Sequence, residues 1–154
     1  LNPVSLDGEQ MRIAEILRRK GSQVATVGPA TTVRELLGIL AEHDIGAVVV
    51  SPGDGVIAGI VSERDVVRGL HRHGAALLDT PVGTLMTTRI QTCAPDDHVD
   101  GLRVVMTEHR VRHVPVVSDG RLAGIVSIGD VVKSAIDELA TERQLLVDYV
   151  EGGY

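Results

Sequence analysis

The stretch Ala58-Gly59-Ile60-Val61-Ser62-Glu63-Arg64-Asp65-Val66-Val67 returns 65 positions later as Ala123-Gly124-Ile125-Val126-Ser127-Ile128-Gly129-Asp130-Val131-Val132. The two strings differ only at the pair of residues between Ser and Asp. Upstream the match continues at a shift of 66: Thr26 with Thr92, Pro29 with Pro95, Val33 with Val99, Leu36 with Leu102, and Glu42-His43 with Glu108-His109. A one-residue gap in the loop at residues 51–55 changes the shift, and Asp54-Gly55 then matches Asp119-Gly120. Agreement of this extent marks an internal duplication, which decides the fold before any single element is read.

Each copy reads alike. A short apolar strand (residues 24–27 and 90–93) runs into a proline that ends it. Val33, Leu36, Leu37 and Leu40 follow at i, i+3, i+4 and i+7, the spacing of one helix face. Thr32 and Glu35 offer that helix a capping box, and Asp97 offers a cap to its counterpart. A β-branched run (47–50, 114–117), a Gly/Asp turn and a further strand (56–61, 122–126) read as a hairpin. A second helix starts at Ser62 and again at Ser127. The order predicts a mixed α/β (α+β) fold: two tandem β-α-β-β-α units packed face to face, because one small sheet cannot cover both of its apolar faces.

Outside the duplication, residues 11–20 read as a helix with Ile13, Ile16 and Leu17 inward and Gly21 as its stop. The expected division is 11–74 for the first unit with its N-terminal helix, 75–81 for a linker, and 82–150 for the second unit with an extended C-terminal helix. Residues 1–10 precede Met11 and are expected to be foreign to the native chain or disordered. The last helix carries Val132, Ile136, Leu139, Leu146 and Val150 in a stripe longer than one repeat needs. That stripe predicts a second surface to pack on, in a homodimer.

Composition narrows the function. About 44% of the 154 residues are apolar, enough for a core, yet Phe and Trp are absent and the only tyrosines are Tyr149 and Tyr154. Single-stranded nucleic acids are usually held by stacking on aromatic rings. The net charge of −6 also repels phosphate polymers. No nucleic-acid partner is therefore expected, although a local basic patch is compatible with this charge. Cys93 is the sole cysteine, so no intrachain disulfide forms. No apolar run nears the roughly 18 residues of a membrane span, and no secretory signal is visible; the expected location is the cytoplasm. His71 and His73 lie two apart, on different helix faces. His109 and His113 lie four apart, but across a helix end near Arg110. No metal site is expected. There is no nucleophile motif, P-loop or dinucleotide fingerprint, so no catalytic residues are assigned.

The two Gly-Ile-Val-Ser strings with their Asp, together with His109-Arg110-Val111-Arg112-His113-Val114-Pro115-Val116, resemble the signature of the CBS domain, named after cystathionine β-synthase. The resemblance spans about residues 11–140, and two paired copies resemble a Bateman module. It implies a non-catalytic regulator that binds AMP, ADP, ATP, NAD or S-adenosylmethionine in clefts between the motifs. AMP or NAD is favoured as a regulatory ligand rather than a catalytic cofactor. A stand-alone module of this kind implies an effector protein that acts in trans or a partner that is unknown. The alternative is a structural or protein-interaction module with unoccupied clefts.

The resemblance also implies site residues. Ser62 with Asp65 and Ser127 with Asp130 stand as N-cap and N3 of their helices, which a capping box alone accounts for. Asp in place of the more usual Glu at N3 is shorter and can turn sideways to accept both hydroxyls of a ribose, the role the family gives it. Free N–H groups at the helix start favour phosphate. Where the first copy has Gly46-Ala47 before its middle strand, the second has Arg112-His113, where the family places phosphate ligands; Arg64 is a further candidate. Without Phe or Trp an adenine slot has to be aliphatic, and Thr26, Val27, Val48, Thr92, Cys93, Val114 and Pro115 are its candidates. Each of these seven also reads as an ordinary core-strand residue.

Overall fold

The computed structural model describes residues 11–21 and 23–152; the expectation for residues 1–10 lies outside them. The first repeat holds β1 (Thr26–Val27), α2 (Val33–His43), β2 (Ala47–Val50), β3 (Gly59–Ser62) and α3 (Glu63–His73), preceded by α1 (Ile13–Lys20). The second holds α4 (Val99–His109), β4 (His113–Ser118), β5 (Arg121–Ser127) and α5 (Ile128–Glu151). This is the mixed α/β order expected, with the N-terminal helix and the long C-terminal helix. β1 pairs parallel with β2, and β2 antiparallel with β3. Asp54-Gly55 and Asp119-Gly120 all take positive φ; the second pair is the tight hairpin turn between Ser118 and Arg121, while the first lies within the longer loop from Val50 to Gly59.

The second sheet is shorter than its sequence suggests. In place of a strand at 90–93 there is a single parallel bridge, Cys93 to Val116, with the Cys93 N–H donating to the Pro115 carbonyl at 3.0 Å. The first repeat has Val49 where the second has Pro115, and a proline has no N–H with which to extend the ladder. The expected cap is also different. Thr32 and Glu35 form their capping box, but α4 starts at His98 without a side-chain cap, and Asp97 instead accepts the Ala94 N–H at 2.8 Å.

Each repeat has its own core, and each core is closed by a segment from outside its repeat. Val33, Leu36, Val48, Val50 and Val61 pack with Leu77 and Val82 of the connecting stretch. Val99, Leu102, Val114, Val116 and Val126 pack with Met11, Ile13, Ile16 and Leu17. The N-terminal helix, which the sequence groups with the first unit, thus buries its apolar face in the second. Residues 75–81, expected as a linker, lie largely in a 3₁₀ turn (Gly74–Asp79) whose Leu77 is buried in the first core. Backbone bonds repeat the exchange: Val82 and Gly83 donate to Thr31 and Pro29, while Ile13 and Ala14 donate to Asp97 and Pro95. The repeats also meet directly where the Leu122 N–H donates to the Gly55 carbonyl at 2.9 Å.

Candidate functional site

A cleft of about 870 Å³ opens between the repeats. Its floor is the turn from β3 into α3. Ser62 caps α3, and its hydroxyl accepts the Asp65 N–H at 3.4 Å. Asp65 Oδ2 accepts the Ser62 N–H at 2.9 Å and the Ser62 hydroxyl at 3.1 Å. Every bond recorded for this carboxylate falls on Oδ2, so among the described residues Oδ1 has no protein partner and is free to accept from a ligand. The N-terminal end of α3 adds its positive dipole end. The capping box therefore exists, and it leaves half of the carboxylate unused.

The facing wall comes from the second repeat. Arg112 and His113 border the cleft, as does Arg64 on α3. Gly46 lies beside the histidine: a Cβ there would stand 3.5 Å from the His113 ring, an ordinary van der Waals contact. Gly46 of one repeat and His113 of the other are thus neighbours across the interface. Burial lowers the His113 pKa below its ordinary 6.5, and the nearby charges of Arg112 and Lys20 lower it further against the opposing pull of Glu63 and Asp130. The imidazole is neutral near pH 7.

Three basic residues on the cleft escaped sequence reasoning: Arg68, Arg89 and Arg110. Arg68 was legible, since it stands four residues after Arg64 on one helix face. Arg110 is the left-handed C-cap of α4, with φ of 53°, and Arg89 lies on the connection into the second repeat. Five arginines therefore border the cleft against three carboxylates, Asp44, Glu63 and Asp65. A chain of net charge −6 concentrates positive charge here, which draws anions.

None of the seven candidates for the adenine slot borders this cleft. Val27 and Val48 belong to the first core, and Cys93 and Val114 to the second; Pro115 is buried, and Thr26 and Thr92 are exposed elsewhere. Strand alternation is the reason for Val48 and Val114. Val48 and Val50 face the helices, so their neighbour Ala47 faces the cleft; likewise Val114 faces inward and His113 outward. The apolar lining includes Ala47 and Ile60 with Leu37, Leu40, Ile45 and Ile90. Burial, with Asp97 nearby, pushes the Cys93 thiol up to about 12, so it stays protonated and unreactive.

The second Ser–Asp step is built like the first and partnered differently. Ser127 caps α5, and Asp130 Oδ2 accepts the Ser127 N–H at 2.8 Å. Ser127 borders the large cleft, but Asp130 turns to a separate space of about 120 Å³ and meets Lys20 of α1. The Lys20 ammonium donates to Asp130 Oδ2 at 2.6 Å. Burial pushes the Asp130 carboxyl up, but the bonds from Lys20 and Ser127 outweigh it and hold the group below the usual carboxylate range. Among the described residues, no cluster of three or more His, Cys, Asp or Glu could hold a metal ion, and no helix is long and apolar enough to cross a membrane.

Comparison with known proteins agrees with this architecture. The CBS domain family pattern matches residues 11–72 and 82–137. The chain is 35% identical over 154 residues to the mitochondrial CBS domain-containing protein CBSX3 of Arabidopsis thaliana, covering 95% of this chain and 75% of that one. It superposes on the crystal structure of a CBS-domain protein from Agrobacterium tumefaciens with a TM-score of 0.79 and 47% identity, over 81% of this chain and 99% of that one. It shares its fold with the CBS domain pair of protein MJ0100, solved in complex with 5-methylthioadenosine and S-adenosyl-L-methionine (TM-score 0.75, 23% identity, 84% and 98% covered). The duplicated Ser–Asp step, the exchanged closing segments and the cleft between the repeats thus have a family to which the chain belongs, that of the CBS domain, as a tandem pair of these non-catalytic modules.

Proposed function

We propose that this pair senses an adenine nucleotide in the large cleft. The observation that carries the reading is the open Oδ1 of Asp65 at a helix N-terminus, facing a wall rich in arginine. Asp65, oriented by Ser62, accepts the ribose hydroxyls. Arg112 and Arg64 take the phosphates, with Arg68, Arg89 and Arg110 in reach of a longer phosphate chain. His113 lies against the same wall. The base lies on the aliphatic lining of Ala47 and Ile60. The MJ0100 pair holds adenosine derivatives, which supports the nucleoside class. The surplus of arginine favours a phosphorylated ligand, AMP or NAD, over the sulfonium cation of S-adenosylmethionine. The nucleotide signals to an effector protein rather than reacting. The expected location is the cytoplasm, although the Arabidopsis relative is named as mitochondrial.

A ligand that binds only the native state raises its melting temperature with concentration, by about 2.7 kcal/mol of stability at a hundred times Kd. Thermal melts with AMP, NAD, S-adenosylmethionine and adenosine test the reading. We expect the phosphorylated ligands to give the largest shifts, and Arg112→Ala to weaken AMP far more than adenosine. Flat melts with all four ligands overturn the sensor reading and leave the alternative, an interaction module with empty clefts, which the exposed apolar residues of α5 favour.

A further inference from the structure

Both repeats carry the Ser–Asp step with every carboxylate bond on Oδ2, and only the second has a charged side chain on its acid. Lys20, the last residue of α1, donates from Nζ to Asp130 Oδ2 at 2.6 Å and to the Ile125 carbonyl at 2.9 Å. In the first repeat the equivalent carbonyl, Ile60, accepts the backbone N–H of Thr87 at 2.8 Å. There Asp65 accepts only from Ser62 among the described residues. The ammonium thus takes the place that main chain takes in the first repeat, and adds a charge on the acid.

Chain length brings it there. The closing segments start from matching bridges, Arg12 with His98 and Thr32 with Pro81. From Arg12 to Thr26 the chain is three residues longer than from Pro81 to Thr92. The added length lets α1 run past Leu17, which packs against Gly124, to Lys20. About 120 Å³ remains beside Asp130, against 870 Å³ beside Asp65. A nucleoside reaching Asp130, whose Oδ1 likewise has no protein partner among the described residues, meets in this small space a Lys20 side chain that is 31% exposed and held by two bonds.

We propose that Lys20 is a built-in occupant of the second repeat's carboxylate, which closes that site and leaves one nucleotide per chain, held at Asp65. This rests on the nucleotide reading above. Calorimetric titration with AMP should give one site per chain for the parent and two for Lys20→Met, whose side chain keeps the packing and loses the charge. The added site should vanish in Lys20→Met/Asp130→Asn. Two sites in the parent, or one in Lys20→Met, overturn the closure and leave the nucleotide reading standing. No binding by any of the three proteins removes the nucleotide reading itself, and this inference with it. A second measurement needs neither variant nor ligand. Lys20 and Lys133 are the only lysines in the sequence; both are exposed as whole residues, but the Lys20 ammonium is held by two hydrogen bonds. With limiting acetylating reagent, peptide mass spectrometry should show Lys20 modified several-fold more slowly than Lys133. Equal rates overturn the closure.

Discussion

Asp65 and Asp130 occupy the same step of their repeats and meet different surroundings, which makes them separable by substitution. Asp65→Asn keeps an oxygen for the cap and should change stability by less than about 1 kcal/mol. It replaces an acceptor for one ribose hydroxyl by an NH₂ group, so AMP affinity should fall by about 1.5–3 kcal/mol, roughly ten- to a hundredfold. Melting without ligand and titration with it measure the two effects apart. A variant that binds AMP as tightly as the parent makes Asp65 a helix cap and nothing more. The pair of acids was legible because the repeat marks them. Lys20 was not, since 110 residues separate it from Asp130 and no local pattern links them. Of the residues expected for an adenine slot, Val48 and Val114 stand one strand position from Ala47 and His113, which border the cleft. A period of two gives no sign of which set faces which wall when both faces of β2 are buried.

At the scale of elements, the exchange of closing segments is what joins the two repeats. The apolar face of α1 was legible from its spacing, but its destination was not, because both cores present the same kind of surface in sequence. Ile13, fully buried in the second core, gives the test. Ile13→Ala should cost about 2–5 kcal/mol, as large-to-small changes in a core do. Hydrogen exchange should then quicken first at Val114 and Val126, in the second repeat, and not at Val48 and Val61. Faster exchange confined to the first repeat would contradict the packing of α1. The strand at 90–93 was overread for a related reason: its pairing depended on an N–H that Pro115 lacks, on a different strand.

Across the whole molecule, the least covered apolar surface is on α5, where Ile136, Leu139, Leu146 and Val150 are 60–75% exposed. A stripe of this kind on a 24-residue helix is costly to leave in water. We expect a two-fold homodimer that covers it, giving twice the chain mass by light scattering at tens of micromolar. Leu139→Glu with Leu146→Glu should return the monomer mass, and a parent that already scatters as a monomer ends the expectation. The exchange of segments bears on how the chain is made. α1 is synthesised before both repeats, yet the core that its apolar face joins runs as far as Val131. At about 5–20 residues per second, its greasy face waits on the order of ten seconds for a home. The first repeat, closed by residues 77 and 82, can meanwhile shut without it. Synthesis therefore closes the first repeat before the second, and α1, made ahead of both, settles only with the second.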